Sequence, residues 1–149
     1  MNSEIGKKRI YNDLFDYQTK VVHWDVLEID NEQEIILEFI KVNSKYRQGV
    51  RLAIDIGEGY IEINGIQSKG IHLWEDTCPK RVKLKCISSQ GKMSVYNIFD
   101  MGVERGGVKS QTDSSGMIIQ ETKEGILYRC NDVGFNSNFD KLEFKIQIL

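Results

Sequence analysis

Residues 142 to 148 have the most constraining pattern in the sequence, because apolar and polar side chains alternate there without exception. The apolar positions are Leu142, Phe144, Ile146 and Ile148. Side chains in a β-strand point alternately to its two faces, so these four would share one face. The segment therefore predicts a strand with one face in a hydrophobic core and the other in water.

Similar β-prone segments recur through the chain at intervals of about ten residues, separated by turns rich in Gly, Asn, Asp and Ser. We count about nine short strands and expect two hairpins, residues 19–29 with 34–42 and residues 116–121 with 125–130. Such a series favours an all-β, antiparallel β-sandwich. A jelly-roll-like arrangement is preferred over an immunoglobulin-like one, because the chain has no Cys, Trp, Cys pattern.

The length of 149 residues suits one domain with a single core. Residues 1–18 are predicted to form an N-terminal extension, and residues 19–149 are predicted to form the β-sandwich domain. Apolar side chains in the extension are spaced as in one short helix. They are Ile10, Tyr11, Leu14, Phe15 and Tyr17.

The charge balance and the apolar content limit the partners of the chain and its compartment. With 20 basic and 22 acidic residues the net charge is −2, which gives no general attraction to nucleic acid or anionic membranes. Apolar runs are far shorter than the roughly 20 residues that span a bilayer, and the first eight residues lack the apolar region of a signal peptide. We therefore expect a cytosolic chain that binds neither nucleic acid nor membrane.

Three cysteines, Cys78, Cys86 and Cys130, form no C-x-x-C pair, and their odd number leaves at least one without an intrachain partner. Cys86 and Cys130 fall within predicted strands, where a reduced cysteine behaves as a small apolar residue. That is the favoured interpretation, and a disulfide or a reactive thiol is the alternative.

The first candidate ligand site is centred on Trp74, whose ring offers a stacking plane while Glu75 and Asp76 offer acceptors for hydroxyl groups. Two further candidates come from polar loops, Tyr46 from residues 43–49 and Asp113 from residues 100–115. Lectin-like modules often stack sugars on a sheet face of rings with polar handles. Six such rings lie within residues 19–149, although each taken singly is more typical of packing: Trp24, Tyr46, Tyr60, Trp74, Tyr96 and Tyr128.

The loop of residues 131–140 has the oxygen donors that calcium prefers, on Asp132, Asn136, Asn138 and Asp140. Only two of these are charged, and the spacing differs from that of an EF-hand. Asn, Asp and Gly are also typical of any tight connection, so a purely structural loop is the favoured interpretation. In that case Arg129 is expected to pair with Asp132 or Asp140. Apart from this possible calcium, no cofactor is expected.

Two other groups of polar residues have a functional and a structural interpretation. His23 and His72 could meet if they lie in neighbouring strands, but a zinc site normally needs three or four ligands. Arg81, Lys83 and Lys85 form a basic stripe on one face of a predicted strand. Solvated surface that protects a sheet edge is the favoured interpretation of this stripe, and a docking site for an acidic partner is the alternative.

The C-terminal third contains four short pieces that belong together: residues 93–100 (MSVYNIFD), 115–117 (SGM), 128–132 (YRCND) and 139–144 (FDKLEF). They resemble a pattern found in uncharacterised bacterial β-sandwich proteins. The last piece in such proteins often looks like DFDDLVF, whereas here Asn138 and Lys141 replace two acids. The resemblance implies a compact β-sandwich and no particular reaction.

These observations favour a non-catalytic binding or interaction module, whose strands form a scaffold and whose loops contact a protein partner or a glycan. The loops concerned are residues 43–49, 74–79, 100–115 and 131–140. A carbohydrate-binding, lectin-like module is the first alternative. A metal-dependent jelly-roll enzyme that uses His23 and His72 is the second, since β-sandwiches host all three kinds of function.

Overall fold

The computed structural model describes residues 5–15 and 20–149, and these form an antiparallel all-β fold. The class predicted from the sequence is therefore confirmed. The strands are β1 (Ile10–Tyr11), β2 (Val22–Glu28), β3 (Glu32–Val42), β4 (Arg47–Ala53), β5 (Gly59–Ile63), β6 (Ile66–Ser68), β7 (Gly70–Trp74), β8 (Arg81–Ser88), β9 (Lys92–Asp100), β10 (Val108–Lys109), β11 (Gly116–Thr122), β12 (Gly125–Asn131) and β13 (Leu142–Ile148). A short 3-10 helix spans Val103–Arg105. Over the described ranges, no helix has the length and apolar character needed to cross a bilayer.

The strands form one continuous sheet in the order β6-β5-β8-β3-β13-β12-β11-β2-β9-β4-β7, with β1 against β2 and β10 against β9. The sheet is nearly closed, because its terminal strands β6 and β7 are consecutive in the chain. The prediction of about nine strands in a jelly-roll-like sandwich is wrong in number and in arrangement. Strands β1, β6 and β10 are only two or three residues long, too short to show an alternating pattern. A single pair, Met117 opposite Val22, joins β11 to β2.

One of the two expected hairpins is present. Strands β11 and β12 pair along their full length and close at Thr122 opposite Gly125. Strands β2 and β3 do not pair with each other, because β2 pairs with β9 and β3 with β8. The β2–β3 turn instead lies beside the β8–β9 turn, where Ile29 N donates to Gly91 O at 2.9 Å and Ser88 N donates to Asn31 O at 2.9 Å. An alternating pattern identifies a strand but does not choose its partner.

The core lies inside the nearly closed sheet, and β13 contributes three of its four apolar positions. Leu142, Phe144 and Ile146 are fully buried, whereas Ile148 at the end of the strand is 40% exposed. Phe144 stacks on Tyr128 of the neighbouring strand β12, with ring centroids 4.6 Å apart. The alternation in the sequence therefore predicts the core face of β13 correctly up to its last residue.

The N-terminal segment forms a strand and not the expected helix. Ile10 pairs with Trp24, and Tyr11 pairs with Val22. Tyr17 lies outside the described residues. Beside this strand, Arg9 Nε donates to Asp25 Oδ1 at 2.8 Å, so an ion pair also joins the predicted extension to the sheet.

The basic stripe of β8 lies in solvent opposite the acidic stripe of β3. Lys83 Nζ is 3.2 Å from Glu34 Oε2, and Lys85 Nζ is 2.7 Å from Glu32 Oε1. The predicted solvated surface is therefore present. The predicted edge position is wrong, because β8 lies between β5 and β3 in the interior of the sheet.

The three cysteines are free thiols. Burial raises the pKa of the Cys86 thiol to about 12 and the pKa of the Cys130 thiol well above its ordinary value. Cys78 is half-buried, and burial raises its pKa as well. The favoured interpretation of Cys86 and Cys130 as small apolar core residues is confirmed.

These buried groups predict that stability falls in alkaline solution. Burial is also the main reason that the pKa of Tyr128 is raised, together with the charge of Asp25. Because the folded-state pKa values of Cys86, Cys130 and Tyr128 all lie above the unfolded ones, their contribution is fully present below the unfolded pKa values. As the pH rises above about 9, the unfolded chain releases protons that the folded chain keeps, at about 1.4 kcal/mol per group and pH unit.

The measurement is urea unfolding under reducing conditions, between about pH 8 and pH 10.5. We expect the free energy of unfolding to fall over this range, and Tyr128→Phe should make the fall less steep above about pH 10. A free energy that stays constant over the range would contradict the assignment of these groups as neutral in the folded protein.

Candidate functional site

Four connections converge at one end of the sheet: residues 43–46, 75–80, 101–107 and 132–141. Hydrogen bonds join three of them. Asn43 Nδ2 donates to Asp140 Oδ2 at 2.8 Å, and Arg105 Nη1 donates to the Tyr46 hydroxyl at 3.1 Å. In the fourth connection, Asp76 binds Arg47 at the start of β4. At least part of each of the four predicted loops therefore lies at this end of the sheet.

A pocket of about 600 Å³ opens between the β3–β4 and β12–β13 loops. We call it the loop-end pocket. It is lined by Val42, Asn43, Ser44, Lys45, Tyr46, Asp132, Val133 and Lys141. Its volume falls within the range of sites for small ligands.

The Asp132 carboxylate is the buried acid of this pocket, with only 3% of the residue exposed. It directly follows β12 and accepts three hydrogen bonds from neutral donors. Ser44 Oγ and Gln48 Nε2 donate to Oδ2 at 2.5 and 2.9 Å, and Val133 N donates to Oδ1 at 2.6 Å. The carboxylate therefore fixes the two loops against each other and against β4.

Gln48 is a second buried polar group beneath the pocket, and the sequence interpretation missed it. It is 2% exposed, and its Nε2 donates to Asp132 Oδ2 and to Tyr46 O. Its Oε1 is buried and has no hydrogen-bond partner within the described part of the chain. A pattern in the sequence could have revealed it, because Gln48 shares a strand face with Val50 and Leu52 and is polar where a core residue is expected.

Tyr46 is the predicted ligand residue that the structure places in the pocket. Its ring lies beneath the ammonium group of Lys45, which is 5.2 Å from the ring centroid. Its hydroxyl accepts the hydrogen bond from Arg105. The side chain is half-buried and fixed from two directions, which suits a residue that lines a binding site.

The structure places the predicted Trp74 site beside the pocket. The guanidinium group of Arg47 lies 4.4 Å from the Trp74 ring centroid, and Asp76 holds that guanidinium group with Arg47 Nε 2.8 Å from Oδ1 and 2.9 Å from Oδ2. The stacking plane that the sequence predicts is therefore covered by a protein cation. Glu75 lines a separate, smaller pocket of about 400 Å³.

Asp113, the remaining ligand candidate, lies in the β10–β11 connection. Its main-chain oxygen accepts a hydrogen bond from Asn12 Nδ2 at 2.9 Å, and Ser115 O accepts another from the same amide at 2.9 Å. This connection therefore anchors the N-terminal segment, and Asp113 is not among the residues that line the loop-end pocket.

The carboxylates of two of the four proposed calcium ligands, Asp132 and Asp140, bind neighbouring protein groups. Asp132 accepts the three hydrogen bonds described above, and the hydrogen bond from Asn43 lowers the pKa of Asp140. Arg129 Nη2 donates to Asn138 O at 3.0 Å, so the expected pairing of Arg129 with Asp132 or Asp140 is wrong. Within residues 5–15 and 20–149, no three His, Cys, Asp or Glu side chains are grouped to hold a metal ion. Calcium binding that also uses Asn136 stays a prediction.

An asparagine at the end of β12 organises the same loop. Asn131 Nδ2 donates to Ser114 O at 2.7 Å and to Gly134 O at 2.8 Å, and Asn131 Oδ1 accepts from Ser137 Oγ at 2.6 Å. Asn131 is fully buried. This network favours the structural interpretation of the Asn/Asp-rich segment.

The two histidines do not meet. His23 lies on β2 and His72 on β7, and β9 and β4 separate these strands. Three strand spacings amount to about 14 Å, too far for two ligands of one metal ion. His23 Nε2 lies 2.8 Å from Thr112 O, and the His72 ring packs edge-on against Trp74. The condition under which the two histidines could meet, that they lie in neighbouring strands, is therefore not fulfilled.

The rings with polar handles are distributed over the molecule. Trp24 and Tyr96 pack together, with centroids 4.6 Å apart, and Trp24 Nε1 donates to Ser94 Oγ at 2.9 Å. Tyr128 is in the core, and Tyr60 lines a pocket at the opposite end of β3 from the loop-end pocket. The structure therefore does not assemble the six rings into one open face.

Comparisons of the chain with protein-family models, with curated proteins and with solved structures found no match.

Proposed function

We propose that the protein is a cytosolic binding module that takes a polar ligand, or a polar segment of a partner protein, in the loop-end pocket. The observation that supports this proposal is the convergence of four connections around a polar pocket with a buried carboxylate at its base. Binding residues are often found on loops that a rigid scaffold positions. The reduced, buried thiols of Cys86 and Cys130 favour a reducing compartment.

Carbohydrate binding is a narrower form of the same proposal. The hydroxyl groups of a sugar could bind the Asp132 carboxylate and the Ser44 hydroxyl in the loop-end pocket, and the Tyr46 ring adds an aromatic surface. Trp74 supports this alternative less than the sequence suggests, because Arg47 covers its ring. Neutral sugars therefore belong in the same binding experiment as charged ligands.

The test is a titration of the ¹⁵N-labelled protein followed by amide chemical shifts. The probes are glucose, galactose, glucuronate, inorganic phosphate, glycine and calcium chloride. We expect at least one probe to shift amides of residues 43–46, 132–133 and 141 in a saturable way. Tyr46→Ala should weaken that binding about tenfold or more, because it removes one wall of the pocket.

Tyr60→Ala is the matched control. Tyr60 is also half-buried, but it lies at the far end of β3, about 30 Å from the loop-end pocket along an 11-residue strand. The Tyr60→Ala substitution should leave the affinity of the loop-end pocket unchanged. Shifts that cluster at residues 58–60 and 87–89 would move the site to the other end of the sheet. A panel without any saturable shift would overturn the proposal for small ligands.

A further inference from the structure

The two buried aspartates of the described chain have different kinds of partner. Asp25 is 0% exposed and is paired with the Arg9 guanidinium group. Asp132 is 3% exposed, and its three donors are a hydroxyl, an amide side chain and a main-chain N–H. Among the described lysines and arginines, none forms an ion pair with Asp132. Burying a carboxylate without a counter-charge is costly, so a cationic group in the pocket would stabilise Asp132.

Gln48 adds an independent observation at the same place. Its Nε2 is bonded to Asp132 Oδ2, and its Oε1 is a buried acceptor that no described group satisfies. Buried acceptors in folded proteins are normally hydrogen-bonded. The protein groups around Asp132 thus have more acceptors than donors, and Asp132 is the acceptor of this group that lines the pocket, where it would favour a ligand group with N–H donors.

The other charges of the pocket have the opposite sign. Lys45 and Lys141 line it, and Arg105 reaches it through the Tyr46 hydroxyl. A ligand with a positive charge alone would meet these cations when it enters. A ligand with a negative charge alone would leave Asp132 without a counter-charge.

We infer that the loop-end pocket takes a small zwitterion, a ligand with an ammonium group and a carboxylate, as in an amino acid. The ammonium group donates to the carboxylate of Asp132, which lines the pocket. The carboxylate faces Lys45 and Lys141. This inference rests on the proposed function, because it specifies the ligand of the same pocket.

The experiment compares matched probes that differ in one charge. L-Phenylalanine has both charges, 3-phenylpropanoate lacks the ammonium group, and 2-phenylethylamine lacks the carboxylate. Glycine is added as the smallest molecule with both charges. We expect glycine and phenylalanine to shift amides of residues 43–46, 132–133 and 141. Each single-charge analogue should bind about ten- to hundredfold more weakly than phenylalanine, since a charge-assisted hydrogen bond is lost.

Two variants separate the roles of the charges. Lys141→Gln should weaken the binding of phenylalanine and 3-phenylpropanoate but leave the affinity for 2-phenylethylamine unchanged. Asp132→Asn should weaken the binding of phenylalanine and 2-phenylethylamine but leave the affinity for 3-phenylpropanoate unchanged. Because Asp132 also fixes the loops, its variant is used only if its amide spectrum retains the native dispersion, and Lys141→Gln is the test otherwise. Lys83→Gln, on the outer face of β8, is the control and should change nothing.

The outcomes distinguish this inference from the proposed function. If 3-phenylpropanoate or 2-phenylethylamine binds as tightly as phenylalanine, the zwitterion inference is wrong and the pocket is still a binding site. If a sugar or phosphate shifts the pocket amides while glycine and phenylalanine do not, the inference is again wrong and the proposed function survives. If no probe shifts these amides, the zwitterion inference fails, and the proposed function fails for small ligands.

Discussion

Replacing Phe144 by alanine is expected to lower the free energy of unfolding by about 3 to 5 kcal/mol, the range for a large aromatic side chain removed from a core. Phe144 is fully buried in β13 and stacks on the fully buried Tyr128 ring, with 4.6 Å between the centroids. Removing the ring leaves a cavity, and because the core is tightly packed, the neighbouring side chains can fill it only in part.

Ile148→Ala is the matched control for Phe144→Ala. Both residues belong to the same alternating series of β13, but Ile148 is 40% exposed. Its replacement should cost about 1 kcal/mol or less, since little apolar area is removed from the core. Urea unfolding followed by circular dichroism measures both variants. Equal losses for the two variants would contradict the core position of Phe144.

Replacing Asp25 by alanine is expected to lower the free energy of unfolding by about 3 kcal/mol. The change leaves Arg9 without its partner and leaves the buried Tyr128 hydroxyl without the acceptor that it contacts at 2.7 Å. The loss lies at the lower end of the range for broken buried ion pairs, because the Arg9 side chain is 37% exposed and water can solvate it.

Asp76→Ala is the control for Asp25→Ala, because it removes an aspartate that also binds an arginine. The Asp76 side chain is 52% exposed, so loss of its contact with Arg47 should cost about 1 kcal/mol or less. Asp25→Asn should lie between the two, since the amide oxygen still accepts from Tyr128. The measurement is again urea unfolding at neutral pH. A loss for Asp25→Ala as small as that for Asp76→Ala would show that the buried contacts contribute little.

Local patterns in the sequence predicted the strands better than their pairing. Strands such as β8 and β13 have an alternating pattern, since one face is in the core and the other in water. The partner of a strand is set by contacts between distant parts of the chain. Strands β2 and β3 therefore looked like a hairpin although each pairs elsewhere. The N-terminal strand β1 was mistaken for a helix, because two residues show no period.

The candidate site was predicted in fragments. Tyr46 and Asp132 were both named from the sequence, but for different ligands, and only the fold brings them to one pocket. Trp74 is followed by the two carboxylates that made it a ligand candidate, yet Arg47 from a neighbouring strand covers its ring. Gln48 and Lys141 were missed as site residues. The distance in sequence between β4 and the β12–β13 loop hides the hydrogen bond between Gln48 and Asp132, which are 84 positions apart.

The short terminal strands of the sheet limit the addition of a further strand from a partner. Its two terminal strands, β6 and β7, have three and five residues and are joined by Lys69, whose main-chain oxygen accepts from Ile54 N at 2.8 Å. An extended peptide that added itself as another strand would find only a short run of free main-chain groups there. For the binding proposed above, these two strands therefore offer little main-chain contact, and the side chains at the end where the connections converge are left as the recognition elements.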